Sequence, residues 1–166
     1  MASPESFDAY VAARYASLTR TAYLLTGHHH DAEDLVQSAL LKAVAVWKRI
    51  EDSPDAYVRR IMVNDNVSRW RRHRGREVVV QSVPEHAPVG TATDAPDEVL
   101  MLRDALARLA PRQRAVIVLR YYEDLTERET ADVLGIAVGT VKSQARDALA
   151  RLRAADVTGR STGQPV

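Results

Sequence analysis

The chain has 166 residues, no cysteine and a formal net charge of only +1, from 23 Lys and Arg against 22 Asp and Glu. This length allows one ordinary domain or two small ones, and the lack of cysteine excludes disulfides and thiolate metal sites. No apolar run approaches the roughly 20 residues that cross a bilayer, and residues 1–8 lack the features of a signal peptide, so we expect a cytoplasmic protein.

Three helices are predicted in the first half of the chain. Apolar residues recur at helical spacing from Phe7, and Gly27 then supplies a stop. Asp31 is predicted to cap a second helix. Pro54 begins a third, running to about His73, because proline fits the first helical position. The inward face predicted for the second helix comprises Leu35, Ala39, Ala43 and Trp47, widened by Val36, Leu40 and Val44.

The segment from Gly75 to Ala95 has the composition of a linker. Helical periodicity disappears there, and prolines stand at Pro84 and Pro88. We therefore predict an all-α chain of two small helical domains. Its predicted segments are a first domain over 1–75, a flexible linker over 76–95, a second domain over 96–155 and a disordered tail over 156–166.

Two helices are predicted to open the second domain. The first, from Asp97 to Leu109, has an apolar stripe that includes Leu102 and Leu106. Pro111 begins the next helix. The rest of this domain carries a more specific pattern.

Residues 126–152 have the proportions of a helix-turn-helix. Thr126 and Glu129 fit a capping box, Ala131 permits close helix packing, and Gly135 permits a left-handed turn. A plain helical hairpin with a solvated face is the alternative. The residues predicted to face outward on the second helix of the motif are Thr140, Lys142, Ser143, Gln144, Arg146 and Asp147.

Charge is distributed unevenly in the first domain. Seven arginines crowd the stretch from Arg59 to Arg76, and the third helix also carries Asn64 and Trp70. An acidic group lies upstream, at Asp31, Glu33 and Asp34. Cationic side chains next to an aromatic surface suit opened DNA, on which an unstacked base can rest. The alternative is that Trp70 fills the core and the arginines are merely solvated. Separate acidic and basic faces indicate two kinds of partner.

Residues 28–30 are three consecutive histidines, which raises the hypothesis of a metal-dependent enzyme. Consecutive side chains beside a helix start point in different directions, so we interpret them as a polar loop. The sequence has no Gly-rich phosphate loop, no G-x-S-x-G and no cysteine nucleophile. We expect no metal, no cofactor and no catalytic activity.

Three motifs, taken in order, resemble one family. They are DAEDLVQ at 31–37, AYVRRIMVN at 56–64 with RWRR at 69–72, and the segment LAPRQRAV to ALARLR at 109–153. The chain resembles the minimal two-domain sigma factors of bacteria, the extracytoplasmic-function group, and most of all an actinobacterial branch. The resemblance implies binding to the RNA polymerase core and to promoter DNA, with an anti-sigma factor as a further partner.

Carried over by position, the resemblance assigns residues to three surfaces. Those that contact the clamp coiled coil of the largest polymerase subunit are Asp31, Glu33, Asp34, Leu35 and Gln37. Those near the minus-ten element are Asn64, Arg71 and Arg72, next to Trp70. Those that read the minus-thirty-five element are Gly139, Thr140, Lys142, Ser143 and Arg146.

Two positions depart from the family pattern. Ala137 stands where the family commonly has a capping Ser, and Arg69 precedes Trp70 where the closest branch tends to have two aromatics. A helix-turn-helix regulator with a dimerising or ligand-sensing first domain is the alternative, because the second domain alone does not distinguish the two. The acidic and Arg-rich helices of the first domain favour the sigma interpretation.

Overall fold

The protein is described from a computed structural model, which covers residues 6–51, 53–76 and 97–161, without the side chains of 74–76 and 157–161. Helices are the regular elements of these ranges, so the all-α prediction is confirmed. They are α1 (Phe7–Thr26), α2 (His29–Val46), a 3-10 turn (Trp47–Arg49), α3 (Pro54–Arg76), α4 (Asp97–Leu106), α5 (Pro111–Ile117), a π-helical turn (Val118–Tyr122), α6 (Glu127–Leu134) and α7 (Val138–Ser161). No helix in these ranges is long and apolar enough to cross a membrane.

Local signals in the sequence fix several helix ends. Gly27 closes α1 with φ 83°, and its backbone N–H donates to the Tyr23 carbonyl at 2.8 Å. Gly135 closes α6 in the same left-handed region, with φ 65°. At the start of α6 the Thr126 hydroxyl accepts from the Glu129 N–H, and the Glu129 carboxylate accepts from the Thr126 N–H. The predicted stops and the capping box are therefore confirmed.

Three predicted boundaries are wrong. Helix α2 begins at His29, so Asp31 lies in its first turn, where a carboxylate stabilises the positive end of the helix dipole without capping it. Helix α3 continues through Gly75 to Arg76. Helix α7 continues to Ser161, because the chain after Leu152 carries no early helix stop. Residues 156–161 of the predicted tail are thus helical, while 77–96 and 162–166 lie outside the described residues.

The hydrophobic core is continuous across the chain. We call α1–α3 the first half and α4–α7 the second half. One cluster of buried side chains spans both, and a smaller cluster of Val116, Ala131 and Val141 joins the helices of the helix-turn-helix. The largest fully buried members of the spanning cluster include Leu24, Leu25, Leu35, Met62, Leu106 and Leu119. Burial of each leucine stabilises the fold by about 1.5–3 kcal/mol. Because the spanning cluster has members in both halves, the halves pack as one body.

Two predicted core positions are wrong. Val44 is 45% exposed and Leu102 is 37% exposed, whereas Leu35, Ala39 and Ala43 are buried as predicted. Both helices carry apolar residues on more than one face, so periodicity alone does not select the buried side. At the end of α2 the Trp47 ring packs against Phe7 and Tyr10, with centroid separations of 5.2 and 5.1 Å.

Candidate partner and nucleic-acid interfaces

The outward face of α2 carries a stripe of exposed side chains that we call the α2 stripe: Asp34, Gln37, Leu41 and Val44. Its members are three or four residues apart and therefore lie on one side of the helix. Leu41 is 70% exposed although the opposite side of α2 is fully buried. The stripe is acidic and polar near the start of the helix and apolar near its end.

Leu35 does not belong to this surface. Its side chain has no exposed area and lies in the core of the free chain, and the polymerase contact that the resemblance implied for it stays a prediction. The sequence interpretation instead missed Leu41, and it placed Val44 in the core. The signal that identifies both was present, because steps of three, four and three residues lead from Asp34 to Val44 along one helix face.

The start of α2 is acidic and open to solvent. Asp31 and Glu33 are exposed, and the Asp34 carboxylate lies 3.8 Å from His30 Nε2. His29 stacks on the Tyr23 ring with a centroid separation of 4.4 Å. Neighbouring histidine side chains therefore engage different partners, and within the described ranges no three His, Cys, Asp or Glu side chains are grouped so as to hold a metal ion.

The exposed face of α3 contains the residues expected to contact DNA. Asn64, Arg71 and Arg72 are exposed, and Trp70 is 40% exposed. Trp70 is therefore not a core residue. It borders, with Arg72, a cleft of about 660 Å³ whose other walls include Asp34 and Arg114. A half-exposed ring at the edge of a cleft flanked by arginines presents a face on which a planar base can stack.

Arg114 lines the same cleft and is hydrogen-bonded to the backbone around it. Its guanidinium donates to the carbonyls of Leu25 at 2.8 Å, Leu106 at 3.0 Å and Leu109 at 3.2 Å. Burial lowers the pKa of this guanidinium from its ordinary value. The side chain thus ties the end of α1 to the end of α4.

Helix α7 begins immediately after the helix-turn-helix turn. The backbone N–H groups of Thr140 and Val141 donate to the Ala137 carbonyl at 3.0 and 3.1 Å, so the helix starts without a side-chain cap at that position. Lys142 and Arg146, four residues apart, are exposed on one face. A Cβ added at Gly139 would meet no atom within 4 Å, so the packing of the chain itself does not require glycine there.

A second cleft, of about 180 Å³, separates α7 from α3. Thr140 and Gln144 line it on the α7 side, and Asn64, Ser68 and Arg71 line it on the α3 side. Residues expected to contact DNA in different domains therefore face each other. The prediction that Thr140, Ser143 and Gln144 face outward is confirmed only in part, because all three are partly covered.

Family models match both halves of the chain. The model of sigma-70 region 2 matches residues 10–76, and the model of sigma-70 region 4 matches residues 100–152. The two matches together cover more than half of the sequence, in the order in which the acidic, Arg-rich and helix-turn-helix segments occur.

Whole-length relatives agree with the family models. The chain is 43% identical to the RNA polymerase sigma-E factor of Streptomyces coelicolor over 149 residues, which is 89% of this chain and 84% of that one. It is 37% identical to the ECF RNA polymerase sigma factor SigL of Mycobacterium tuberculosis over 150 residues, 83% and 81% of the respective chains.

Solved structures share the fold. The sigma factor RpoE of Bartonella quintana, solved with the anti-sigma factor NepR, is 31% identical, with a TM-score of 0.66 over 89% of this chain and 94% of that one. CnrH, solved with the cytosolic domain of CnrY, is 24% identical with a TM-score of 0.63 over 92% and 88% of the two chains.

Proposed function

The chain belongs to the sigma-70 family, in its extracytoplasmic-function group, and we propose how its two halves divide the work of promoter recognition. As a sigma factor it directs RNA polymerase to promoters for transcription initiation. We propose that residues 1–75 form the domain for polymerase binding and the minus-ten element, and residues 96–155 the domain for the minus-thirty-five element. Residues 76–95 would connect them, and the chain itself would contribute no catalysis.

The α2 stripe is the proposed polymerase surface. Interfaces of this kind have an apolar centre with a polar rim, and the stripe offers Leu41 and Val44 beside Asp34 and Gln37. Asp31 and Glu33 extend its acidic end. The implied partner is the clamp coiled coil of the largest polymerase subunit. The single observation that carries this assignment is that exposed leucine and valine side chains stand on the outer face of a helix whose opposite face is buried in the core.

The exposed face of α3 is the proposed surface for the melted minus-ten region. Arg71 and Arg72 would neutralise phosphates, Asn64 would contact the promoter, and Trp70 would accept an unstacked base. The side-chain exposure of all four supports this role. Together they combine cationic and stacking groups, which suits single-stranded DNA better than an intact duplex.

Helix α7 is the proposed reader of the minus-thirty-five element. Lys142 and Arg146 would reach into the major groove, where arginine and lysine bond guanine edges. Gly139, in the first turn, would allow the helix end to approach the DNA backbone closely. Thr140 and Ser143, which are partly exposed, would complete the surface.

An anti-sigma factor is proposed as a further partner. The Bartonella quintana protein that shares this fold at 31% identity was solved with one bound. That structure covers 89% of this chain, so both halves take part in the similarity. Copurification of the chain with a co-expressed candidate anti-sigma factor, and loss of transcription when that candidate is added to the reconstituted enzyme, would test this partner.

Reconstitution with core RNA polymerase tests the proposed function. The full chain is added to core enzyme on genomic DNA, and the start sites of transcripts are mapped. We expect transcription from a defined set of promoters that the core enzyme alone does not use. A chain that leaves the core enzyme's start sites unchanged, yet binds a palindromic duplex as a dimer, would instead be a helix-turn-helix regulator.

A further inference from the structure

Glu127 and Lys142 form an ion pair between the two helices of the helix-turn-helix. Glu127 is the first residue of α6, Lys142 lies near the start of α7, and the Glu127 carboxylate lies 3.7 Å from the Lys142 Nζ. The Glu127 and Lys142 side chains are 39% and 63% exposed. The pair therefore presents an anion and a cation side by side on the motif that we propose to read DNA.

This ion pair retains the capacity to bind a further partner. Exposed ion pairs contribute only about 0–1 kcal/mol to stability, and the helices of the motif are already joined by a buried apolar cluster. The separation of 3.7 Å is longer than an N–H···O hydrogen bond of about 2.7–3.2 Å. A lysine ammonium has three donors and a carboxylate has several lone pairs, so both groups can form hydrogen bonds to a ligand.

A second ion pair on α7 differs in its geometry. The Arg146 Nε lies 3.8 Å from the Asp147 carboxylate, but these residues are consecutive on one helix. Consecutive side chains on a helix do not face each other, whereas Glu127 and Lys142 approach from different helices. Of the two carboxylates, Glu127 is therefore the one that can meet the same place on a ligand as its cation.

A carboxylate on a DNA-reading surface restricts which bases can be bound. The phosphates of DNA repel it, and the amino groups that the bases donate in the major groove belong to cytosine and adenine. Guanine presents two acceptors, O6 and N7, to a lysine. The cytosine N4 amino group lies about 3 Å from O6, because the two are hydrogen-bonded within the base pair. A G·C pair thus places an acceptor and a donor at a spacing close to that of the Lys142 and Glu127 charges.

We propose that Glu127 is a specificity-determining residue, which accepts from the N4 amino group of a cytosine while Lys142 donates to the paired guanine. This inference rests on the proposed function of α7. An A·T pair also has an amino group beside an oxygen, but its two acceptors lie on opposite sides of that amino group. Lys142 would then reach one acceptor instead of two, and the thymine methyl group flanks the oxygen. The ion pair therefore favours G·C.

Base-pair substitutions test the proposal with the reconstituted polymerase holoenzyme. Each base pair of the minus-thirty-five element is replaced in turn in one promoter found by the start-site mapping, and holoenzyme binding is measured. We expect the parent chain to prefer G·C by about tenfold at one base pair, and Lys142→Ala and Glu127→Ala to lose the preference at that same pair. Glu127→Ala should bind a scrambled element at least as tightly as the parent chain, because a repelling carboxylate is removed.

Glu127→Gln distinguishes a direct contact from an effect through Lys142. The amide oxygen still accepts a hydrogen bond from cytosine, but the charge that attracts Lys142 is gone. We therefore expect Glu127→Gln to retain part of the G·C preference that Glu127→Ala loses. A Glu127→Gln variant that behaves as Glu127→Ala does would overturn the contact between Glu127 and cytosine.

Asp132→Ala is the matched control. Asp132 is exposed on α6, five residues after Glu127 and therefore on a different side of the helix. Its replacement removes the same charge and should retain the G·C preference, so that loss of the preference in this control would overturn the proposal.

Four further results would overturn the assignment of Glu127. They are an unchanged preference in Glu127→Ala, loss of preference at different base pairs in Glu127→Ala and Lys142→Ala, an A·T preference at the shared pair, and weaker binding of Glu127→Ala to every element. A parent holoenzyme with no preference at any base pair of the element would contradict the proposed role of α7, and this inference with it. Failure of the inference alone leaves the parent chain's preference and its mapped start sites in place.

Discussion

The α2 stripe and the reading face of α7 are both helix surfaces suited to a large partner, but they differ in what covers them. Leu41 in the stripe is 70% exposed, whereas Thr140 and Gln144 on α7 face α3 across a narrow cleft. The surface proposed for the minus-thirty-five element is thus partly covered at Thr140 and Gln144, although Lys142 and Arg146 on the same helix are exposed.

The largest expected effect concerns the open surface. Asp34→Lys reverses a charge on the α2 stripe, where the side chain is 53% exposed, so assembly with core polymerase should weaken by at least about 100-fold while the fold is retained. Binding to labelled core enzyme and thermal unfolding measure the two quantities. Glu51→Lys, an exposed acidic residue outside the stripe, is the control. Undiminished assembly by Asp34→Lys would remove the stripe from the polymerase interface.

Two leucine substitutions distinguish the role of the buried face of α2 in stability from the role of its exposed face in polymerase binding. Leu35→Ala should lower the free energy of unfolding by about 2–5 kcal/mol, because it leaves a cavity in the core. Leu41→Ala should change stability by less than about 0.5 kcal/mol yet weaken polymerase binding by about tenfold. Denaturant titration and polymerase binding are compared for both variants. Equal loss of stability would show that Leu41 packs inside the protein.

Sequence reasoning predicted the features that short segments encode by themselves. The stops at Gly27 and Gly135 and the capping box at Thr126 each depend on residues no more than a few positions apart. Sequence reasoning did not identify the buried face of α2 correctly. A helix with valine, leucine and alanine on several sides has no unique inward stripe. Only packing against α1 and α3 decides that Leu35 is inside and Val44 outside.

The junction between the halves was beyond local reasoning. Glu123 meets Arg59 and Thr21, which are 64 and 102 positions away in the sequence. No periodicity links such positions, and the segment from Gly75 to Ala95 has the composition of a linker, which predicts two separate domains. The continuous core and the partial cover over Thr140 and Gln144 arise from packing between residues far apart in the sequence, whereas Lys142 and Arg146 are exposed as predicted.

The next prediction compares Arg71, on the proposed minus-ten surface of α3, with Arg146, on the proposed minus-thirty-five surface of α7. Arg146→Ala should cost about 1–3 kcal/mol on promoters with an intact upstream element, if the side chain reads a base edge. Arg71→Ala should weaken open-complex formation on all cognate promoters alike and lower its salt dependence by about one counterion, since phosphate contacts carry little sequence information. Transcription is measured on intact and scrambled upstream elements. An equal loss on both for Arg146→Ala would make it a phosphate contact only.

The smallest expected effect tests whether the halves behave as one body. Thr126→Ala removes the hydroxyl of the capping box and should destabilise the protein by about 1 kcal/mol, while Thr126→Ser retains most of the cap. The two tryptophans, Trp47 and Trp70, both lie in the first half, so their fluorescence reports on it. Because the core is continuous, the fluorescence and circular-dichroism transitions should shift together. A shift in circular dichroism alone would mean that the halves unfold independently.

The capping box also gives this effect a pH dependence of definite sign. Hydrogen bonds from the Thr126 N–H and hydroxyl lower the pKa of Glu129 in the folded chain. A depressed pKa means that the contribution is present above the pKa of the unfolded chain and is lost as the pH falls through the folded value. Stability at acid pH should therefore decline less in Glu129→Gln than in the parent chain, since glutamine does not titrate. Glu129 is exposed, so screening by salt should reduce the difference, and unfolding measured across acid and neutral pH at low and high salt checks both statements. A parent chain and Glu129→Gln variant that decline in parallel would show that the carboxylate's bond to the Thr126 backbone does not contribute to the stability of α6.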